Sequence, residues 1–427
     1  MPAITSADAG NSGIARRHVP LSTALLACLS NALAAQEEPR DWLGSRPLHQ
    51  WQRLTGDWGG TRTQLEDLGV EVAGGLTADL AGPWSGGIRQ RGTLTTLLDL
   101  NIAFDLERLL GLPRTLAYVD AYRIHGGNPS NHVGDAQGVS NIAANGTEQI
   151  AELWLETWLG EQFRAKFGKV DFNSEFAFNE LGGEFVHSTA GITPCILGFP
   201  TYPNPAMSAN LFYVPSECCY VGAAVYDGAV VSGTNTGKLG PSGFFGGDND
   251  GSYLFAAEAG VTWTGGESWG SGRLALGAYT HTARLPRFDG GSQHGAEGLW
   301  ATFEQRLWRE QPAVADDRQG LGLFVAGGLA DARVSAFGAT LACGCTWTGW
   351  WPGRDYDALG FAILHADLSD RAGAGTPEDE TAFELMCKVQ VTPFLVVKPD
   401  LQYVLHPGGA PEIDHALVAL LRFECMF

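Results

Sequence analysis

The densest chemistry in the sequence is the stretch Glu152-Leu153-Trp154-Leu155-Glu156-Thr157-Trp158-Leu159, in which carboxylates and indoles alternate with apolar residues. Extended backbone sends successive side chains to opposite faces. Glu152, Trp154, Glu156 and Trp158 therefore share one face, and the leucines share the other. Indoles stack on apolar C–H surfaces, and carboxylates accept hydrogen bonds from hydroxyls. Such a face suits a polyhydroxylated ligand. The simpler outcome is that these charges pair with cations across the same surface and stiffen it.

Other spacings carry less. Gly266-Glu267-Ser268-Trp269-Gly270 has the spelling of a nucleophile elbow. That motif needs a strand before it and a helix after it, and here two strand patterns flank it, so a turn is expected. Asp248-Asn249-Asp250-Gly251 opens like a calcium loop but lacks the downstream Glu at the required spacing. Cys343-Gly344-Cys345 has neither a second pair nor a nearby His to complete a zinc site. Phosphate loops, dinucleotide fingerprints and paired-histidine metal motifs are absent from the sequence. The expectation is a chain without catalytic residues, cofactor or metal. The formal net charge of −20 argues against a nucleic-acid partner and favours cations in any pore.

The elements that hold these residues read as strands. From Val70 onward the apolar residues recur with period two. In 93–107, Leu94, Leu98, Leu100, Ile102, Phe104 and Leu106 take one face, and Asp99, Asn101, Asp105 and Glu107 the other. Crossing a bilayer at a tilt takes about 9–11 residues, whereas sandwich strands average about 5–6. The pattern returns at 150–159, 299–308 and 383–391, and in the last strand, which ends on Phe427. Large charged and aromatic groups fill one face, as a wet lumen needs, and the other face is continuously apolar, as lipid needs. The fold class expected is all-β: a transmembrane antiparallel β-barrel of about sixteen strands with a short N-terminal periplasmic helix over 62–68. Thr61 and Gln64 have capping-box spacing, and Gly69 serves as the stop.

Connections should alternate between short periplasmic turns and longer extracellular loops. They do so up to about residue 308. Between 309 and 356 the tenth connection is long and the eleventh short, which points to a misplaced strand. The longest connection, 171–208, carries Glu175, Glu180, Glu184, several Phe and four Pro. A segment so apolar is a poor solvent loop, so a constriction folded into the lumen is expected. With the inward parity of the strands, the pore-lining set becomes Arg123, Glu152, Trp154, Glu156, Trp158, Arg164 and Lys166 from the first half. Glu175 and Glu180 come from the loop, and Trp300, Glu304, Arg306, Lys398, Asp400 and Arg422 from the second half.

Ahead of the strands, Arg16-Arg17-His18, an apolar run from Val19 to Leu29 and Ala32-Leu33-Ala34 form an export signal over 1–34. Residues 35–69 read as a periplasmic N-terminal segment, and 70–427 as the barrel. Export permits disulfides. Seven cysteines follow the signal, an odd number: Cys195, Cys218, Cys219, Cys343, Cys345, Cys387 and Cys425. A bridge from Cys195 to Cys218 or Cys219 would pin the long loop; single buried thiols are the alternative.

Leu54-Thr55-Gly56-Asp57-Trp58-Gly59-Gly60-Thr61-Arg62 resembles the opening block of the carbohydrate-selective (OprB-type) porins. Gly168-Lys169-Val170-Asp171-Phe172-Asn173 with Phe176, Asn179 and Glu180 resembles their central block. Gln390-Val391-Thr392-Pro393-Phe394 with Lys398-Pro399-Asp400-Leu401-Gln402-Tyr403 and His406-Pro407-Gly408-Gly409 resembles their closing block. The resemblance implies a sixteen-stranded barrel in the outer membrane of a Gram-negative bacterium. It implies facilitated diffusion of glucose and similar sugars, with Arg and Glu at a narrow eyelet. The partners expected are mono- or oligosaccharides, outer-membrane lipid and, during biogenesis, the barrel-assembly machinery. A general diffusion pore without sugar preference is the alternative. Seven cysteines, and His406 where Asn is common, depart from the family pattern.

Overall fold

A strand in hydrocarbon cannot leave an edge unpaired, because no water is there to satisfy its N–H and C=O groups. Sixteen amphipathic strands meet that demand by closing on themselves. The computed structural model describes residues 46–245, 251–266, 269–311, 317–371 and 373–427. The export signal, the first part of the N-terminal segment, Asp248-Asn249-Asp250 and Glu267-Ser268 lie outside them.

The strands are β1 (Val70–Ser85), β2 (Thr93–Asp105), β3 (Thr115–Gly126), β4 (Thr147–Leu159), β5 (Phe163–Val170), β6 (Ala206–Ser216), β7 (Cys219–Asp227) and β8 (Tyr253–Trp263). They continue as β9 (Gly272–Pro286), β10 (Ser292–Arg309), β11 (Gly320–Ala330), β12 (Phe337–Thr348), β13 (Ala358–Leu368), β14 (Glu380–Thr392), β15 (Leu395–Leu405) and β16 (Ala416–Met426). Each pairs antiparallel with its sequence neighbours, and β1 pairs with β16, from Gly75 opposite Met426 to Ser85 opposite Leu417, to close the barrel. All sixteen expected strands are present. The suspected misplacement between 309 and 356 is not found, since β11 and β12 lie where the alternation puts them. Connection 310–319 is long in its own right, and β10 reaches it through a bulge between Arg306 and Trp308.

Polarity is inverted relative to a water-soluble core. Leu80, Leu94, Leu153, Leu155, Leu276, Leu299 and Phe423 are exposed on the outside, while Asp79, Glu152, Arg164, Glu258 and Glu384 are buried on the inside. Among the described residues no helix is long and apolar enough to cross a membrane, so the crossing elements are the strands. The helix Thr61–Leu68 packs against β1 and stops at Gly69, whose φ of 96° suits a residue without Cβ. Its cap differs from expectation: Gly60 precedes it, and Asp57 takes the Thr63 N–H at 2.9 Å.

The connection 171–205 runs inside the barrel. Phe172 and Phe176 pack with Phe212, Tyr226 and Trp300 on one wall. Phe185 and Ala190 pack with Phe324, Leu364 and Met386 on the opposite wall. The expected bridge from Cys195 is not formed. Cys195 is buried with its Sγ 3.5 Å from Thr340 Oγ1 on β12, whereas Cys218 and Cys219 sit at the β6–β7 hairpin. The loop's path carries Cys195 away from that hairpin, and all seven described cysteines are free thiols.

Candidate functional site

Six of the expected residues form one cluster where β4, β5 and the inner loop meet. Arg164 contacts Glu156 at 3.0 Å and also Glu175, and Lys166 reaches Glu175 at 2.5 Å and Glu156 at 3.1 Å. The Lys166 ammonium sits 3.9 Å above the Trp154 ring, which also stacks with Tyr118 at 4.9 Å. Glu152 accepts from Trp154 Nε1 at 3.1 Å. The alternation of acids and indoles is therefore real and inward-facing, yet the loop covers it. Trp154 is only 8% exposed, so its ring is wall packing rather than an open stacking face.

The wall acids share a second task. Glu152 on β4 accepts the backbone N–H of Asp171 at 3.1 Å, and Glu258 on β8 that of Ala177 at 2.9 Å. Glu304 on β10 accepts from Leu181 at 2.6 Å, and Glu384 on β14 from Val186 at 2.7 Å. Four carboxylates spaced around the wall thus hold four successive points of one loop.

The other expected residues separate into groups. Trp300 donates to Glu258 at 2.6 Å, and Glu258 also binds Arg273 at 2.9 Å and Tyr220 at 2.7 Å. Arg422 grips Asp79 with two nitrogens at 2.7 and 2.8 Å. Asp400 is buried and accepts from Gln402 at 2.8 Å. Trp158 lies under the Arg114 guanidinium at 4.5 Å. Open charge remains in two places, near the barrel end that carries both termini of the strand array. Arg306 pairs loosely with Glu180 at 3.8 Å, and Glu180 stays 53% exposed. Lys388 holds Glu184 at 3.0 Å, while Lys398 holds Glu424 at 3.0 Å. Burial alone would raise the Glu184 carboxyl, but the Lys388 and Lys398 ammoniums outweigh it and bring it down to about 2.

Arg123 is a correction. β3 pairs with β2 in unbroken register, and its regular alternation puts Arg123 on the outward face, opposite outward Leu98 and 3.7 Å from Glu148. It does not line the lumen. Sequence reasoning also passed over Asp79, Glu184, Glu258, Arg273 and Lys388 as candidates. Inward parity on β1, β8, β9 and β14 was the available signal.

The comparisons agree with this architecture. Residues 91–427 match the model of the carbohydrate-selective porin, OprB family. Porin B of Pseudomonas aeruginosa is 25% identical over 434 residues, covering 89% of this chain and 92% of that protein. The putative porin QuiX of Acinetobacter baylyi is 24% identical over 428 residues, covering 88% and 93%. A solved high-pH structure of Pseudomonas putida OprB matches 88% of this chain and 99% of its own at 22% identity, with a TM-score of 0.78. With a closed sixteen-stranded barrel, charge on its inner wall and a family match over most of its length, the chain belongs to the OprB family of carbohydrate-selective porins of the Gram-negative outer membrane, and is a channel rather than an enzyme.

Proposed function

We propose that mono- and oligosaccharides pass through this barrel by facilitated diffusion, with the half-exposed charges Glu180, Glu184, Arg306, Lys388 and Glu424 as the surface they touch. Glu152, Trp154, Glu156, Arg164, Lys166 and Glu175 act behind that surface and hold the loop 171–205 as the constriction. The observation that carries this reading is the loop itself, tethered by glutamates from β4, β8, β10 and β14, with its Glu180 and Glu184 set against Arg306 and Lys388 of the wall. Hydroxyls both donate and accept, so a passage that mixes Arg, Lys and Glu can exchange partners with a sugar at each step. Transport needs a site favourable enough to enter and weak enough to leave. Residues 1–34 serve as the export signal and 35–69 as the periplasmic segment. Outer-membrane lipid surrounds the apolar wall, and the barrel-assembly machinery inserts it.

Single-channel recording tests the reading. Added glucose or an oligosaccharide should reduce ion conductance in a dose-dependent way, and an amino acid at equal concentration should not. Conductance indifferent to every sugar would leave a general diffusion pore.

A further inference from the structure

Arg123 belongs to a group of cations on the outside of the barrel. His125 follows it on the same outward face of β3, and Arg89 and Arg91 stand further out, in the β1–β2 connection; all four are exposed. This end is opposite the chain termini. In outer-membrane barrels that end, with the longer connections, faces the exterior.

Three observations point to a ligand. The first is a cleft of about 370 Å³ lined by Arg89, Arg91, Asn128, Asn131 and His132. The buried His132 accepts from Arg89 Nε at 2.9 Å and so aims the guanidinium. The second is missing counter-charge. In an acidic chain, Arg164, Arg273, Arg333, Arg354 and Arg422 each hold a carboxylate at 3.0 Å or less. Among the described residues Arg89 and Arg91 have no carboxylate within 4.0 Å. The third is the apolar surface just below. Trp84, Leu80 and Leu94 are 73%, 55% and 56% exposed, and Leu80 and Leu94 are cross-strand partners. An outward Trp at a strand end marks the membrane–water interface.

We propose that this rim binds a phosphorylated glycolipid of the outer leaflet. Its phosphate sits between Arg89 and Arg91, its sugar reaches the Asn128 and Asn131 amides, and its acyl chains lie along Trp84, Leu80 and Leu94. Guanidinium forks match phosphate bidentately, and they stay charged at every pH of interest. A soluble anion would use the same arginines but has no use for the apolar strip. The proposal is independent of sugar transport, because none of these residues is among the charges assigned to the passage.

The test is native mass spectrometry of the full chain in detergent, with bisphosphorylated lipid A as the probe. On the unmodified protein, lipid A stripped of phosphate should bind at least tenfold more weakly, and phosphatidylglycerol should compete poorly. Replacing Arg89 and Arg91 together by Ser should weaken lipid A binding at least tenfold, with single-channel conductance unchanged. Equal binding of dephosphorylated lipid A would overturn the proposal, as would unchanged binding by the double variant. Displacement of lipid A by equimolar inorganic phosphate would instead assign the cleft to a soluble anion. Equal binding of phosphatidylglycerol would remove the sugar from the recognition. The lipid comparisons need no variant, so they stand even if a substitution impairs assembly.

Discussion

Glu152, Glu258, Glu304 and Glu384 each give a carboxyl oxygen to a backbone N–H of the inner loop. A buried N–H without an acceptor costs about 1–3 kcal/mol, so a loop inside a barrel has to find such partners along its length. The same loop buries His187, whose Nδ1 accepts the Thr189 N–H at 3.3 Å. Burial lowers the His187 imidazole to about 3. An unfolded histidine titrates near about 6.5, so between those two values the unfolded chain binds a proton that the folded chain refuses. Stability should therefore fall as pH drops from about 6.5 toward 3. His187→Asn keeps a side-chain acceptor for Thr189 and removes the titration. The urea midpoint of this variant should vary less with pH across that window than the parent's. Identical slopes would mean that other groups set the acid response.

Among the elements, the strands depend on close pairing between inward aromatics and glycines on the neighbouring strand. Trp300 on β10 lies over Gly277 on β9, its cross-strand partner, and Tyr279 on β9 lies over Gly298 on β10. A Cβ placed on Gly277 would come within 2.0 Å of the Trp300 ring, which is itself held by Glu258. Gly277→Ala should therefore destabilise the folded barrel by about 1–3 kcal/mol, the usual cost of overpacking. Heat-modified gel mobility after graded urea exposure would read the change. A variant as stable as its parent would show that Trp300 can move aside freely. The pairing recurs at Gly222 with Phe212, Gly260 with Tyr220 and Gly344 with Phe324, since an aromatic in a narrow lumen needs a flat neighbour.

For the whole molecule, one wall serves two solvents. Its outer rows meet hydrocarbon, and its inner rows meet a loop, charges and water. The sixteen-strand ladder closes without any contribution from the loop. Both ends of the stretch 179–196 adjoin residues packed in the same cluster, Phe178 and Leu197. Replacing that stretch by a short Gly/Ser link should leave the barrel assembled. Ion conductance should rise several-fold, and block by sugar should be lost. Planar-bilayer recording checks both, and unchanged conductance would place the narrow point elsewhere.

The sequence by itself determined the strands. Period-two alternation is a local property, and in a membrane barrel each face has only one permitted solvent, so all sixteen strands and the helix ending at Gly69 were legible. It also determined the inward direction of Glu152, Trp154, Arg164 and Lys166, because parity fixes direction wherever a strand is regular. Parity misled at Arg123 because both faces of β3 mix apolar and polar residues, so its regular alternation does not say which face is inward. Only the tertiary structure decided which inward groups meet the passage and which lie under the loop. Trp154 and Glu180 look equally available in sequence, yet Trp154 is covered and Glu180 is open. The same holds for Cys195, which is brought to Thr340 rather than to Cys218 or Cys219. The reason is physical: alternation sets a direction for each side chain, whereas the path of a 35-residue connection depends on contacts with walls more than a hundred residues away, such as Leu181 with Glu304.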